Sequence, residues 1–96
     1  MEVLVAYDIA TPDREGERRL AKVASICERY GVRAQYSLFE CRVSAAGLEK
    51  LKGELADVIK MDYDAIDIYR FDRPISDVRS SIGRPRLERP GGSWIF

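Results

Sequence analysis

The chain has 96 residues, a formal net charge of zero and a hydrophobic fraction of 46%, values typical of one soluble globular domain. No apolar run approaches the roughly 20 residues that a membrane span needs, and the first residues predict a strand rather than a signal peptide. Zero net charge argues against indiscriminate nucleic-acid binding, so such binding would need local patches. Because the sequence has no histidine, an acid, base or metal site must use carboxylates, Tyr, Cys, Lys or water.

The two cysteines, Cys27 and Cys41, form no CxxC pair and indicate no disulfide framework. We interpret both as small buried hydrophobic residues of a reduced protein and therefore predict a cytoplasmic location. A domain of this size buries a modest core, so burial against a second copy is plausible.

The first predicted element is a central strand over residues 3–8. Its first four residues are apolar without alternation, which predicts burial on both faces of a sheet. Asp8 stands where this strand ends, so a rigid element carries a carboxylate to the rim of the sheet, a usual place for chemistry. The alternative is a turn or cap residue, because Asp is common where a strand gives way to a loop.

Apolar residues at helical spacing predict a first helix, clear from residue 17 onward, with Gly31 as its C-cap. Two starts are possible for this helix: Pro12 lies in its first turn, or Asp13 is its N-cap. Gly16 weakens the turn that follows. Its polar face mixes both charges, so a salt-bridged solvent face and a phosphate-binding face both remain open. The basic residues of that face are Arg14, Arg18, Arg19 and Lys22.

The middle of the chain predicts two strands, a helix and a last strand. Residues 33–43 interleave β-formers with polar residues, which predicts two short strands with a bend near residues 37–40. Ser44 is the expected cap of a second helix, and residues 65–71 alternate as a strand with Ile66 and Ile68 on one face. The buried stripe of that helix is Leu48, Leu51, Leu55, Val58 and Ile59.

The order β-α-β-β-α-β predicts an α+β fold of the ferredoxin-like kind over residues 1–72, an antiparallel sheet with both helices on one face. A second copy of the chain is the simplest cover for the other face. Residues 73–96 form an Arg-, Pro- and Gly-rich tail whose arginines suit phosphate contacts or simple solvation. The apolar residues 93–96 predict a short strand added to a sheet edge, which could be the partner's.

Three stretches of the chain carry a resemblance to a known family. They are Tyr7-Asp8-Ile9 after the first strand, Tyr30-Gly31 after an Arg-rich helix, and Arg33-x-Gln35-x-Ser37-Leu38-Phe39-Glu40-Cys41. In order and spacing, over about residues 2–72, the chain resembles the CRISPR-associated protein 2 family, the small partner of the CRISPR integrase.

The resemblance implies a homodimer whose two Asp8 carboxylates lie near the two-fold axis and bind a divalent metal, usually magnesium. It also implies two activities in CRISPR adaptation: a metal-dependent endonuclease acting on RNA or DNA, and a scaffold that holds DNA between integrase dimers. Carried over by position, Asp8 is the metal ligand and catalytic residue, with Tyr7, Arg33 and Phe39 as its catalytic neighbours. The candidate nucleic-acid contacts are Arg14, Arg18, Arg19 and Arg33.

Physical chemistry supports the metal site but leaves alternatives open. Magnesium keeps several waters and needs one or two protein carboxylates, so one Asp per subunit is an adequate set of ligands. No residue is an evident general base, and packing is the alternative role for Tyr7 and Phe39. Besides a nuclease, the sequence therefore admits a non-catalytic DNA-binding scaffold in which Asp8 is structural, and a toxin-type ribonuclease of similar fold.

Overall fold

The computed structural model describes residues 1–83, and those residues form four strands and three helices. The strands are β1 (Glu2–Asp8), β2 (Gly31–Gln35), β3 (Leu38–Arg42) and β4 (Ala65–Phe71), and the helices are α1 (Arg14–Glu28), α2 (Ala45–Val58) and α3 (Ile75–Val78). The strand predicted near residues 93–96 and the tail arginines after residue 83 lie outside the described residues.

The strands form one sheet in the order β2-β3-β1-β4, and every pair of neighbours is antiparallel. This confirms the predicted ferredoxin-like topology and the central position of β1. The core lies on one face of the sheet, where buried side chains of β1 and β3 meet those of α1 and α2. These buried residues include Val3, Val5, Phe39, Cys41, Val23, Cys27, Leu51 and Leu55.

Within one chain, β1 is buried on one face and half-buried on the other, whereas its apolar run predicts burial on both. Val3, Val5 and Tyr7 point toward the helices and are buried, whereas Leu4 and Ala6 on the opposite face are half-buried. Successive side chains of a strand alternate between faces, and α1 and α2 cover only one of them. The other face, which we call the open face, therefore carries apolar side chains that residues 1–83 of one chain cover only in part.

The segment after β4 covers part of the open face, and its helix was not predicted. Ile75 of α3 is buried, and its backbone N–H donates to Glu2 Oε1 at 2.7 Å. Arg79 forms an ion pair of 2.6 Å with Glu40 on β3. Between this segment and Leu4 of the sheet lies a groove of about 530 Å³. A four-residue helix is too short to show a helical period in the sequence.

The predicted caps of the two long helices have different outcomes. Asp13 caps α1 by accepting the Gly16 N–H at 2.9 Å, and Ser44 caps α2 by accepting the Gly47 N–H at 3.0 Å. The C-cap prediction is wrong, because α1 ends at Glu28 with Arg29 as its cap, and Gly31 opens β2.

The bend between β2 and β3 also lies earlier than predicted. Tyr36 and Ser37 form the turn, and β3 already begins at Leu38, inside the range in which the bend was expected. No Asn-Gly or Asp-Gly pair marks the turn in the sequence, so its position follows from the strand pairing instead.

Two helical glycines should respond in opposite ways to alanine. A Cβ at Gly16 would meet the Ala10 carbonyl oxygen and lie 2.9 Å from Thr11 Cα, both backbone atoms, whereas a Cβ at Gly53 meets nothing within 4 Å. We expect Gly16→Ala to lower the free energy of unfolding by about 1–3 kcal/mol. Gly53→Ala, in the interior of α2, should raise it by about 0.5–1 kcal/mol. Urea unfolding of both variants checks this, and equal effects would contradict the close approach of α1 to Ala10.

Candidate metal and nucleic-acid site

Asp8 is the exposed last residue of β1, and strand alternation places its side chain on the open face with Leu4 and Ala6. Its register partner on β4 is Ala65. Within residues 1–83 no hydrogen bond or ion pair engages the Asp8 carboxylate. A rigid strand thus presents both carboxylate oxygens to solvent.

The exposed Asp8 carboxylate suits magnesium, but residues 1–83 of one chain offer too few ligands for a complete site. An exposed, uncommitted carboxylate is the oxygen donor that magnesium prefers, and the ion retains waters at its other positions. Within the described part of the chain, no group of three or more Cys, Asp or Glu side chains could hold a metal. One chain therefore supplies Asp8 and leaves the remaining positions to water, substrate or a second copy.

The other expected catalytic neighbours lie together on the helix-covered face, away from Asp8. The rings of Tyr7 and Phe39 stack with centroids 6.3 Å apart, and the Arg33 guanidinium lies 4.9 Å from the centre of the Phe39 ring. The Tyr7 hydroxyl donates to the Tyr36 carbonyl at 3.1 Å, and an Arg33 guanidinium N–H donates to the same oxygen. These contacts favour the packing role that the sequence left as the alternative for Tyr7 and Phe39.

The titration behaviour of Tyr7 also favours a structural role. Burial raises the pKa of its phenol above the ordinary value, and the nearby Arg33 lowers it only in part. A tyrosine kept protonated in this way acts as a hydrogen-bond donor rather than as a base. Asp8 is therefore exposed on the open face, whereas Tyr7 and Phe39 are buried on the helix-covered face, although Tyr7 and Asp8 are neighbours in sequence.

The basic residues of α1 divide into two kinds. Arg14 and Arg18 are exposed, one helical turn apart, and form no ion pair within residues 1–83. Arg19 is committed to an internal ion pair with Asp64, where its side chain is only 12% exposed. Arg14 and Arg18 thus keep the phosphate-binding alternative open, whereas the geometry of Arg19 assigns its guanidinium to the fold.

The sequence analysis gave Asp64 no role, although the structure makes it a central buried residue. Its side chain is fully buried and accepts the backbone N–H of Ala10 at 3.0 Å and that of Lys60 at 2.9 Å. Arg19 donates to both of its oxygens, from Nε at 2.8 Å and from Nη2 at 3.3 Å. No local signal predicts this pairing, since the two residues are 45 positions apart.

The buried pair should make stability depend on pH in the acid range. Hydrogen bonds from Arg19, Lys60 and Ala10 outweigh burial and lower the pKa of Asp64 from 3.8 to about 2. Because the pKa is depressed in the folded state, the carboxylate stabilises the fold above about pH 4 and loses this contribution as the pH falls toward 2. We expect the stability difference between wild type and Asp64→Asn to shrink over that window. Urea titrations at several pH values check this, and a difference independent of pH would contradict it.

Among residues 1–83, none of the helices is both long enough and apolar enough to cross a membrane.

The cysteines Cys27 and Cys41 are both free and buried in the core. Burial raises the pKa of Cys27 to about 12 and that of Cys41 to about 11, so both thiols stay protonated and neither serves as a nucleophile at neutral pH.

Comparison with known proteins identifies the family. The family model for CRISPR associated protein Cas2 matches residues 1–75. A relative from Nitratidesulfovibrio vulgaris, named CRISPR-associated endoribonuclease Cas2, is 42% identical over 96 residues, which cover 100% of this chain and 94% of the relative. A relative from Halalkalibacterium halodurans, named CRISPR-associated endonuclease Cas2, is 46% identical over 70 residues, which cover 73% of each protein.

A solved structure agrees with these sequence matches. The crystal structure of Streptococcus pyogenes Cas2 at pH 6.5 superposes with a TM-score of 0.79 and 36% identity, over 86% of this chain and 100% of that one. The β-α-β-β-α-β order, the match to the family model and the identity to these relatives point the same way. This chain belongs to the Cas2 family of CRISPR-associated proteins.

Proposed function

We propose that this chain is a nuclease of CRISPR adaptation that works as a homodimer, with Asp8 of each copy holding one shared magnesium ion. The observation that carries the proposal is the uncommitted Asp8 carboxylate, which the central strand presents on the open face. Relatives named endoribonuclease and endonuclease support cleavage of RNA or DNA phosphodiesters. The CRISPR integrase is the proposed partner.

The open face supports pairing of two copies. Beside β1, the face carries Tyr69 of β4, which is 54% exposed and lies opposite Leu4 in the strand register. Exposed apolar side chains on one sheet face favour contact with another apolar surface, and a two-fold pair buries the same patch of both subunits. Because Asp8 shares this face, such a pair can bring two carboxylates into one cleft.

The chemistry divides between the ion and the chain. A bound magnesium ion supplies Lewis-acid activation of the phosphate and of a water molecule at neutral pH. Asp8 would hold and orient that ion. Arg14 and Arg18, exposed and without an ion pair inside the described range, would bind phosphates of the nucleic acid and hold it in position.

Cleavage assays with metal and with chelator test this function. Wild-type protein is incubated with labelled single-stranded RNA and duplex DNA in magnesium or in EDTA. We expect cleavage of at least one substrate in magnesium only. No cleavage of either substrate, or cleavage that EDTA leaves unchanged, would overturn the proposal of a magnesium nuclease.

A second candidate function is a non-catalytic DNA-binding scaffold of the integration complex, and it is favoured by Arg14 and Arg18, which form no ion pair among residues 1–83. In this role the arginines contact phosphates, and binding weakens with salt because counterions are released. Replacing both by alanine should weaken duplex DNA binding and reduce the slope of log K against log salt by about 2.

A matched control makes the scaffold prediction specific. Lys50→Ala removes one exposed cation from α2 and should leave the slope unchanged. Fluorescence anisotropy across a salt series measures all three proteins. Binding that does not respond to salt, or an equal loss in the Lys50 variant, would count against a phosphate-binding surface on α1.

A further inference from the structure

The Asp64–Arg19 ion pair holds both backbone groups of Ala10. The Ala10 N–H donates to Asp64 Oδ1, and the Ala10 carbonyl accepts from Arg19 Nη2 at 3.3 Å. One buried ion pair, made from side chains of two distant segments, thus hydrogen-bonds both the N–H and the carbonyl of a single residue. Ala10 lies two residues after Asp8, in the connection between β1 and α1.

The chain around Asp8 is fixed on its other sides as well. Asp8 pairs in register with Ala65, the residue directly after Asp64. Two adjacent residues, Asp64 and Ala65, therefore contact both the β1–α1 connection and the end of β1. Ile9, between Asp8 and Ala10, is buried. Gly16 of α1 approaches the Ala10 carbonyl so closely that no side chain fits there. The backbone on both sides of Asp8 is therefore held rigidly.

In the described part of the chain, the Asp8 side chain has no partner that orients it, so its direction depends on this backbone. Residues that orient a metal ligand through hydrogen bonds commonly change metal affinity or activity by about 10–100-fold when they are replaced. A binding carboxylate on the last residue of a strand, where the connecting loop begins, needs such support to keep its geometry. An ionised, fully hydrogen-bonded carboxylate buried at Asp64 suits that task at neutral pH.

We propose that Asp64, acting with Arg19, is a positioning residue that fixes the β1–α1 connection and thereby aims the Asp8 carboxylate at the metal. This inference rests on the proposed metal site at Asp8. It gives Arg19 a role through the backbone in place of direct phosphate contact. It also predicts that two residues on the helix-covered side of the molecule control an ion bound on the open face.

The test compares manganese binding by wild type, Asp64→Asn, Arg19→Lys and Glu54→Gln. Asp64→Asn keeps the shape but loses the charge, and Arg19→Lys keeps the charge but loses the forked contact. Glu54→Gln is the control, because the Arg29–Glu54 ion pair of 2.8 Å joins the C-terminal cap of α1 to α2 and does not contact the β1–α1 connection. Calorimetry measures the dissociation constant of Mn²⁺ at a temperature where circular dichroism shows the variants folded.

We expect the dissociation constant of Mn²⁺ to rise about tenfold or more in Asp64→Asn and Arg19→Lys and to stay unchanged in Glu54→Gln. Amide hydrogen exchange at Ala10 should be faster in the first two variants only. If Asp64→Asn does not fold, Arg19→Lys decides alone, since it retains the buried cation. Wild-type affinity in the folded variants, despite faster exchange at Ala10, would overturn the positioning role. A wild-type protein that binds no manganese would overturn the proposed metal site as well, which separates the two failures.

Discussion

Replacing Asp8 by asparagine is expected to reduce magnesium-dependent cleavage at least about a hundredfold while leaving the fold intact. Asparagine keeps the size of the side chain but removes the charge that attracts a divalent cation. Because the Asp8 carboxylate is exposed and makes no hydrogen bond within residues 1–83, the free energy of unfolding should change by less than about 0.5 kcal/mol. Initial rates on RNA and duplex DNA, measured beside urea unfolding, check both parts.

Asp57→Asn is the matched control for this experiment. Asp57 is an exposed carboxylate on α2, away from the open face, so its variant should cleave as wild type does. Cleavage by Asp8→Asn at the wild-type rate would contradict the metal-ligand role. Loss of cleavage together with a large loss of stability would instead support the alternative interpretation, in which Asp8 stabilises the fold as a turn or cap residue.

Replacing Phe39 by alanine is expected to lower the free energy of unfolding by about 3–5 kcal/mol. Phe39 is fully buried, stacks on Tyr7 and lies under the Arg33 guanidinium, so truncation leaves a cavity in the centre of the core. A domain of this size has about 5–15 kcal/mol of stability in total, so this single change removes a large part of it. Urea or thermal unfolding measures the effect.

Tyr36→Ala serves as the control for Phe39, because the Tyr36 ring is 86% exposed and only its backbone carbonyl accepts hydrogen bonds. Its stability should stay near that of wild type. A Phe39 variant with unchanged stability and reduced cleavage would restore the catalytic interpretation of this residue. The predicted result instead places Phe39 and Tyr7 in the core.

The order of the elements could be predicted because it depends on local patterns. The alternation of residues 65–71 and the helical stripe of α2 each reflect which side chains face the core. The Ser44 cap is likewise a feature of a few adjacent residues. The position of Asp8 at the end of β1 could be predicted for the same reason, because the apolar pattern of the strand shows where the strand ends.

Features that depend on distant contacts could not be predicted. Gly31 looked like a helix cap, but a Cβ added there would meet the Glu40 carbonyl oxygen and lie 2.6 Å from Cys41 Cα on the neighbouring strand. Strand alternation alone separates Tyr7 from Asp8, but which of the two faces the helices cover depends on tertiary packing. The pairing of Arg19 with Asp64 joins α1 to the segment before β4, and no pattern within either segment specifies the other.

The open face connects the fold to the proposed activity. It carries half-buried Leu4 and exposed Tyr69 beside Asp8, and the α3 segment covers only the part near Glu2 and Glu40. If two copies pair through the remaining surface, the apolar contacts stabilise the pair and the two carboxylates repel each other unless a cation lies between them. Metal binding and dimer formation should therefore strengthen each other.

The stoichiometry of manganese binding tests this account most directly. Wild-type protein and Asp8→Asn are titrated with Mn²⁺ by calorimetry, and light scattering gives the molar mass of the same samples. We predict a dimer of wild-type chains that binds one Mn²⁺ per two copies, and no binding by Asp8→Asn. A monomer, or one ion bound by each chain independently, would contradict a metal site shared by two copies of Asp8.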